Sequence, residues 1–320
     1  MRISGEELKV FSQAISRAVE EVERKVIGKR KEVELILASL LSNGHVLLEG
    51  VPGVAKTLVA KTMAGVLGLD FKRIQATPDM LPSDIIGVVV YNPRTAEFAF
   101  RRGPIFTNIL LVDEINRAPP KTQSALLEAM QERQVTVEGQ TLKLEEPFMV
   151  LATQNPIEME GVFPLPEAQV DRFLATIVTG YVSHKGFVEL LRRVHEIEQA
   201  IESLKPIVPK EVVLEEIERA AEVRVDDAVL DYIASIVEET RVHPAVRLGG
   251  SPRAGIAMLK LAKAWAYLDE RSYVIPDDVK AVAKLALVHR IILKPEYEIQ
   301  GVTSERVIES VLSKVPVPRP

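Results

Sequence analysis

The sequence predicts an α/β fold in which helices cover a parallel sheet and a smaller helical domain follows. The first observation is an apolar run, a glycine-rich turn and a helical pattern, in that order, in "GHVLLEGVPGVAKTLVAKTMAGVLG". Three later apolar runs have the character of buried parallel strands: "FKRIQA", "NILLVDE" and "FMVLATQN". Beyond Pro206 and Pro209 the apolar spacing is helical to the end. We therefore expect an α/β domain over residues 1–205 and a helical domain over residues 206–320.

Composition restricts the class of protein. Of the 320 residues 47% are hydrophobic, which is typical of a globular chain, and the net charge of -5 makes a constitutive nucleic-acid partner improbable. The chain contains no cysteine, which excludes disulfides and thiolate metal sites. The first segment has the pattern of an amphipathic helix and not of a signal peptide, and no apolar run approaches the roughly 20 residues of a membrane span. We expect a cytoplasmic protein.

Two segments with alternating apolar residues predict β-hairpins inserted into the α/β domain. "IIGVVVYNPRTAEFAFRRG" places a turn, Asn92 to Thr95, between two strand-like runs. "VTVEGQTLKL" alternates on both sides of Glu138 and Gly139, a dipeptide suited to a tight hairpin turn. Ordinary surface hairpins without a function are the alternative interpretation.

The segment from Gly50 to Thr57 has the pattern of a loop that wraps phosphate groups in backbone N–H groups. Lys56 is expected to reach the β- and γ-phosphates, and Thr57 to bind Mg²⁺ through its hydroxyl. Ala55 stands where the common pattern has glycine, and we expect a helical φ at which a methyl group costs little. The residues predicted to bind nucleotide from this segment are Gly50, Val51, Pro52, Gly53, Val54, Ala55, Lys56, Thr57 and Leu58.

Two adjacent acids end the apolar run "NILLVDE". We predict that Asp113 binds Mg²⁺, mainly through water, and that Glu114 orients and polarises the water that attacks the γ-phosphate. The alternative is a strand that ends in a solvated acidic turn. Because a phosphate-binding pattern precedes this pair in the chain, the sequence favours a site that binds and hydrolyses ATP.

At this level of detail the chain resembles the AAA+ ATPases, and within them the MoxR family. The resemblance covers nearly the whole chain and is carried by four segments: "VIGKRKEVELILASLLSNGHVLLEGVPGVAKT", "DEINRAPPKTQSALLEAMQERQVTV", "ATQNPIEMEGVFPLPEAQVDRFL" and "GGSPRAGIAMLKLAKAWAYLDERSYVIPDDVKAVAKLALVHRIIL". It implies a P-loop αβα sandwich with a parallel sheet plus a small all-helical lid domain. Alanine before the loop lysine is usual in this family.

The resemblance also implies roles for residues outside the loop. "ATQNP" resembles the sensor 1 segment, in which Asn155 would contact the γ-phosphate or the attacking water; a polar strand end is the alternative. "EAQVDRFL" resembles the arginine-finger segment, so that Arg172 would reach the nucleotide of a neighbouring subunit. For Arg172 the alternative is an ion pair with Asp171 or Glu167.

Two further segments carry implied contacts. "SPRA" resembles sensor 2, in which Arg253 would contact a γ-phosphate of its own or a neighbouring subunit. Val26, Ile27 and Gly28 resemble the loop that lines the adenine pocket. Arg117, three residues after Glu114, is interpreted either as a residue at a subunit boundary or as a surface arginine that caps a local turn.

The two hairpins fall where this branch of the family carries the helix 2 insert and the hairpin before sensor 1. In related rings such hairpins face the central pore. The resemblance therefore makes four residues of the first hairpin candidates for contact with a partner: Phe98, Phe100, Arg101 and Arg102.

The function that the resemblance implies is an ATP-driven machine that remodels or matures partner proteins in a chaperone-like way. The cofactors would be ATP or ADP and Mg²⁺, and the partners a ring of identical subunits, most simply a hexamer, with a client protein and in some cases a von Willebrand A-domain protein. Two alternatives remain at this point, a DNA-translocating motor and a nucleotide-dependent scaffold that does not hydrolyse ATP.

Overall fold

The structure, a computed structural model, describes residues 5–51, 53–94, 96–154 and 162–318. Its centre is a five-stranded parallel sheet with the strand order β2-β5-β8-β1-β9. The strands are β1 (Val46–Glu49), β2 (Phe71–Gln75), β5 (Ile109–Asp113), β8 (Met149–Gln154) and β9 (Ala175–Val178). The sequence predicted the first four, whereas β9 is an additional strand that the pattern of "ATIV" did not reveal. All residues of β5 are buried, as expected for a strand covered on both faces.

Both predicted hairpins are present and lie outside this sheet. β3 (Gly87–Asn92) pairs antiparallel with β4 (Glu97–Arg102), and β6 (Gln134–Val137) pairs antiparallel with β7 (Gln140–Lys143). Glu138 and Gly139 both have positive φ angles, 48° and 77°, which is the backbone that a tight two-residue hairpin turn requires.

Helices cover the sheet in the first part of the chain, and the second part is mainly helical. The helices of the first part are α1 (Gly5–Lys25), α2 (Arg30–Leu41), α3 (Lys56–Val66), α4 (Pro82–Ile86), α5 (Pro120–Glu132), α6 (Glu167–Val170) and α7 (His184–Glu202). The second part contains α8 (Lys210–Glu222), α9 (Asp227–Val242), α10 (Pro252–Leu268), α11 (Pro276–Leu287), α12 (Pro295–Ile299) and α13 (Ser304–Lys314), with short strands β10 (Val246–Leu248) and β11 (Ile292–Leu293). Within the described ranges, no helix has the length and apolar character needed to cross a membrane.

Local sequence explains where the helices begin. Ser251 precedes α10 and its Oγ accepts a hydrogen bond from the N–H of Arg253 at 3.1 Å, with Pro252 at the first helical position. Asp226 caps α9 in the same way through the N–H of Ala228. The Ser251 cap fixes the position of Arg253 in the first turn of α10, where Arg253 is exposed.

The connection between α7 and α8 is attached to the end of α3. The N–H groups of Ile207 and Val208 both donate to the carbonyl of Val66, at 2.8 and 3.1 Å. Val208 is buried in an apolar cluster that also contains residues of α2, α3, α10 and α11. The boundary between residues 205 and 206 stays a prediction, because this one cluster extends across it.

Candidate nucleotide site

The loop after β1 lies against the end of β9. Gly50 has a φ of 150°, and a Cβ atom there would lie 2.2 Å from the carbonyl oxygen of Thr179, which no side chain can tolerate. The N–H of Thr179 donates to the carbonyl of Glu49 at 2.7 Å and holds this approach. Gly53 also has a positive φ, 80°, with open space where a side chain would be. Glycine is therefore required at Gly50 by packing and favoured at Gly53 by backbone conformation.

The prediction of a helical φ for Ala55 was wrong. Its φ of 66° and ψ of 22° lie in the left-handed region, and α3 begins only at the next residue. An L-residue in this conformation places its Cβ close to the following carbonyl, at a cost of about 1–2 kcal/mol. The loop therefore requires a left-handed backbone conformation at the position where the common pattern has glycine. Alanine adopts this conformation here at a cost in stability.

Replacement of Ala55 by glycine should raise the free energy of unfolding by up to about 1 kcal/mol, because relief of the left-handed strain exceeds the added freedom of the unfolded chain. Nucleotide affinity should change little, since the methyl group does not block the loop. Urea unfolding and titration with a fluorescent ATP analogue measure the two effects. The matched control is Ala60→Gly inside α3, which should lose stability; equal losses in both variants would contradict the left-handed assignment.

Lys56 lies among carboxylates. Its Nζ donates to the carbonyl of Gly50 at 2.6 Å. Burial lowers the pKa of Lys56, against the opposing effect of Asp113, Glu49 and Glu114. Burial likewise raises the pKa of Glu49, the last residue of β1. The Lys56 ammonium thus interacts electrostatically with three acids at the carboxyl edge of the sheet.

Asp113 and Glu114 are held by β8 and β2. Oδ1 of Asp113 accepts a hydrogen bond from Thr153 Oγ1 at 3.2 Å, and Oδ2 accepts one from Arg73 Nε at 2.6 Å. The N–H of Glu114 donates to the same Thr153 hydroxyl at 2.9 Å. Glu114 has a left-handed backbone, with a φ of 56°, a conformation that clusters at functional sites. Thr153 and Arg73 are site residues that the sequence analysis missed.

Arg117 contacts the acid that precedes it by three residues. Its Nε lies 2.8 Å from Oε2 of Glu114, within the 3₁₀ turn Ile115–Arg117 that follows β5. Arg117 is thus directed at the candidate catalytic carboxylate, and its place at a subunit boundary stays a prediction. Its guanidinium gives Glu114 a charged partner inside the chain.

Val26, Ile27 and Gly28 lie on the same side of the molecule as the phosphate loop. Buried Lys29 fixes them, because its Nζ donates to the carbonyl of Gly180 at 2.6 Å and to Glu32 at 2.8 Å. Gly28 itself approaches Val182, and both Gly180 and Val182 follow directly on Thr179, which contacts the loop. The segment 179–182 therefore contacts both the Val26–Gly28 segment and Gly50.

Arg172 and Arg253 lie together in a different place. Both line a cavity of about 350 Å³ whose other cationic residues are Arg133, Lys260 and Arg290. The cavity is also lined by residues 43–45, which lead into β1 from its amino end. The four residues of β1, about 13 Å in length, separate this end from the loop. The structure thus brings Lys56, Asp113 and Glu114 together at one edge of the sheet and Arg172 and Arg253 together at the other.

Arg172 does not form the ion pair that was the alternative for it. Asp171 pairs with Arg290, 2.6 Å from its Nε, and accepts from Ser251 Oγ at 3.0 Å, while Glu167 pairs with Arg247 at 3.0 Å. Within the described ranges, Arg172 Nε has no hydrogen-bond partner. The neighbouring acids are thus committed to other cations, and the Arg172 guanidinium lines the cavity.

Thr57 and Leu58 belong to the first turn of α3 and are half-buried, as is Val51, whereas Val54 is buried. Thr57 therefore follows the loop directly, where a hydroxyl can face a ligand of the loop. Two predicted site residues, Pro52 and Asn155, lie outside the described residues.

Comparison with protein families identifies the class of protein. A model of the ATPase family associated with various cellular activities (AAA) matches residues 45–175, and a model of the AAA lid domain matches residues 238–311. A crystal structure of a candidate ATPase from Cytophaga hutchinsonii superimposes with a TM-score of 0.92 at 42% identity, over 98% of each chain. The parallel sheet, the loop after β1 and the lid helices therefore constitute an AAA+ ATPase fold.

Similar sequences define the family more closely. The chain is 50% identical over 304 residues to the uncharacterized protein YeaC of Bacillus subtilis, covering 95% of each. It is 45% identical over 314 residues to chaperone MoxR1 of Mycobacterium tuberculosis, covering 95% of this chain and 82% of the relative. The chain belongs to the MoxR family of AAA+ ATPases.

Proposed function

We propose that the chain hydrolyses ATP as part of a ring in which two subunits form each site. The observation that carries this proposal is the separation of Arg172 and Arg253 from Lys56 and the two acids. A subunit with these two sets at opposite ends of its sheet completes a site only when its cationic cavity faces the loop of another copy. Head-to-tail contacts of this kind close into rings. A hexamer is the size that the family resemblance implies.

Within one subunit, the chain's own groups bind and orient the nucleotide. Backbone N–H groups of the loop and the positive end of α3 would surround the phosphates, and Lys56 would exchange its contact with the Gly50 carbonyl for the β- and γ-phosphates. Val26 to Gly28 would contact the adenine. Asn155 would contact the γ-phosphate or the attacking water.

The oxygen donors at the carboxyl edge of the sheet suit Mg²⁺. They are the hydroxyl of Thr57 and the carboxylate of Asp113, the hard ligands that this ion prefers. Bound Mg²⁺ supplies charge neutralisation at the phosphate oxygens. Thr153 restrains the Asp113 carboxylate by a hydrogen bond, so the carboxylate faces the site in a fixed orientation.

Hydrolysis requires a water molecule in line with the bond between the β- and γ-phosphates. Glu114 would orient this water, whose oxygen bonds to the γ-phosphorus as the bond to the bridging oxygen breaks and ADP leaves. Arg117 contacts Oε2 of Glu114, and because an ionised carboxylate has about four lone-pair sites, Glu114 would keep acceptor capacity for this water. Arg172 and Arg253 of the neighbouring subunit would stabilise charge on the transferred phosphoryl group.

The work done by hydrolysis is proposed to be chaperone-like remodelling or maturation of partner proteins, in some cases with a von Willebrand A-domain protein. The relative named a chaperone supports this class of function. The β3–β4 hairpin offers contact residues, since Phe98 is 75% exposed and contacts exposed Tyr91 with ring centroids 5.2 Å apart and ring planes tilted by 55°. Phe100, Arg101 and Arg102 lie on the same hairpin.

ATPase rate measured against protein concentration tests the shared site. The wild-type rate should rise more steeply than linearly, because sites form only on assembly. Glu114→Gln should bind ATP without turnover, and Arg172→Ala should be slow at every concentration, by a factor on the order of 10³ or more. Equal rates in all three proteins would contradict the mechanism.

Mixing the two inactive variants is a sharper test. In a mixed ring, about a quarter of the sites combine an intact Glu114 from one subunit with an intact Arg172 from the next, so activity should return. If both residues served the nucleotide of their own subunit, the mixture would stay inactive. A mixture of Glu114→Gln with Lys56→Ala is the matched control, since both changes fall on the same side of the site.

A further inference from the structure

Arg73 contacts the candidate magnesium ligand and has no part in the hydrolysis proposed for the site. It lies on β2, the strand beside β5, and its Nε donates to Asp113 Oδ2 at 2.6 Å. Its Nη2 also contacts Gln75 Oε1 at 3.3 Å, within the same strand. The Arg73 side chain is 51% exposed, whereas Asp113 is buried. A half-exposed cation therefore neutralises a buried anion.

Both oxygens of the Asp113 carboxylate already have partners inside the chain. Oδ1 is committed to the Thr153 hydroxyl, which also receives the N–H of Glu114. Oδ2 is committed to the guanidinium. Lys56 adds another positive charge that interacts with Asp113. A divalent cation entering here meets a carboxylate whose charge is already balanced, and it is repelled by the guanidinium at short range.

We propose that Arg73 sets the metal affinity of this site by competing with Mg²⁺ for Asp113. Arg73 is a positioning residue: it acts through Asp113 and does not touch the nucleotide. Competition of this kind makes metal binding depend on nucleotide, because the phosphates supply the negative charge that Arg73 has cancelled. Mg²⁺ alone should bind weakly, and Mg²⁺ together with ATP should bind well. The inference rests on the proposed function of Asp113 as the metal ligand.

Titration of the full-length protein with MgCl2 alone, followed by calorimetry and by thermal unfolding, tests this competition without any turnover. Arg73→Gln should lower the half-saturating Mg²⁺ concentration by about tenfold, as expected for removal of a charge near the ion. Arg73→Lys should remain close to wild type, because it keeps the charge. Lys72→Gln is the matched control: it removes the same charge from the same strand, but its Nζ contacts the carbonyl of Phe106 on the other side.

The outcomes separate this inference from the proposed function. An unchanged Mg²⁺ requirement in Arg73→Gln, or an equal change in Lys72→Gln, would overturn the role of Arg73 while leaving nucleotide binding intact. If instead wild-type protein bound ATP with no dependence on Mg²⁺ at any concentration, the assignment of Asp113 would fail and this inference with it. Because Arg73 is half-exposed, both variants should fold, and their unfolding temperatures without MgCl2 verify this.

Discussion

Replacement of Arg290 by leucine should lower the free energy of unfolding by about 3–5 kcal/mol, the range expected when one member of a buried ion pair is removed. The Arg290 side chain is only 3% exposed, and its Nε donates to Asp171 Oδ1 at 2.6 Å. The change leaves the Asp171 carboxylate with the Ser251 hydroxyl as its remaining partner at 3.0 Å. The Asp171 side chain is 21% exposed, so water compensates for only part of the lost guanidinium.

Arg290 also connects the lid to the segment that carries Arg172. Its Nη2 donates to the carbonyls of Asp171 and Phe173 at 3.0 and 2.6 Å, and its Nη1 donates to Leu174 at 3.3 Å and to Ala286 in α11. Loss of these bonds should displace the backbone on both sides of Arg172. We therefore expect the variant to lose ATPase activity because Arg172 is displaced, even under conditions where the protein remains folded.

Urea unfolding measured by circular dichroism gives the stability change. The control is Arg247→Leu, since Arg247 pairs with Glu167 at 3.0 Å but both side chains are more than half exposed, and such pairs contribute within about 1 kcal/mol. Adding Asp171→Asn to Arg290→Leu should recover part of the loss by removing the unpaired charge. Equal losses of stability in Arg290→Leu and Arg247→Leu would show that the Arg290–Asp171 pair contributes no more than an exposed ion pair.

Acidification from pH 7 to pH 5 should cost the protein about 2 kcal/mol of stability through His45 alone. The N–H of Val150 donates to His45 Nδ1 at 2.9 Å, so Nε2 carries the proton and donates to the carbonyl of Met130 at 2.9 Å. Burial lowers the pKa of His45 from its ordinary 6.5 to about 3, with the charge of Arg133 acting in the same direction. A second proton would have to displace the Val150 contact.

The sign of this effect follows from where protons bind. Between pH 6.5 and pH 3 the unfolded chain takes up a proton at His45 that the folded chain refuses, so acid favours unfolding. The stabilisation is present in full above pH 6.5 and is lost progressively as the pH falls toward 3. His289, whose pKa is also lowered by burial, adds to the loss in the same direction.

Urea unfolding at a series of pH values measures the dependence. Between pH 7 and pH 5, His45→Gln should reduce the dependence of the free energy of unfolding on pH by the equivalent of up to one proton, because glutamine does not titrate. This holds whatever the effect of the change on absolute stability. His184→Gln, a change at an exposed histidine, should keep the wild-type slope. A His45→Gln protein with the wild-type slope would show that His45 titrates normally in the folded chain.

The sequence was most informative where one segment carries a complete pattern. The order of strand, loop and helix around Lys56 is local, and so are the turns of the two hairpins, so both were predictable. β9 was not, because four residues interrupted by Thr176 are too short to show a period. Its pairing with β1 depends on a partner more than a hundred residues away.

Contacts between distant segments account for the remaining differences. Arg73 and Asp113 are 40 positions apart, and only the pairing of β2 with β5 brings them together. Asp171 and Arg290 are 119 positions apart, so the sequence offered Asp171 as a partner only to the adjacent Arg172, in the alternative interpretation of that residue. Ala55 was misjudged for a different reason: a residue's φ follows from how the loop closes on β9, and alanine by itself predicts a helical value.

The attachment of the 203–209 connection to Val66 has a mechanical consequence. α3 begins at Lys56 and ends at Val66, so it is a rigid rod about 16 Å long with the phosphate loop at one end and the connection to the lid at the other. A rod of this kind transmits displacement without bending, and two hydrogen bonds to one carbonyl couple it to the chain that leads into α8. A shift of the loop along the axis of α3 would therefore be transmitted to residues 207 and 208, which lead into α8.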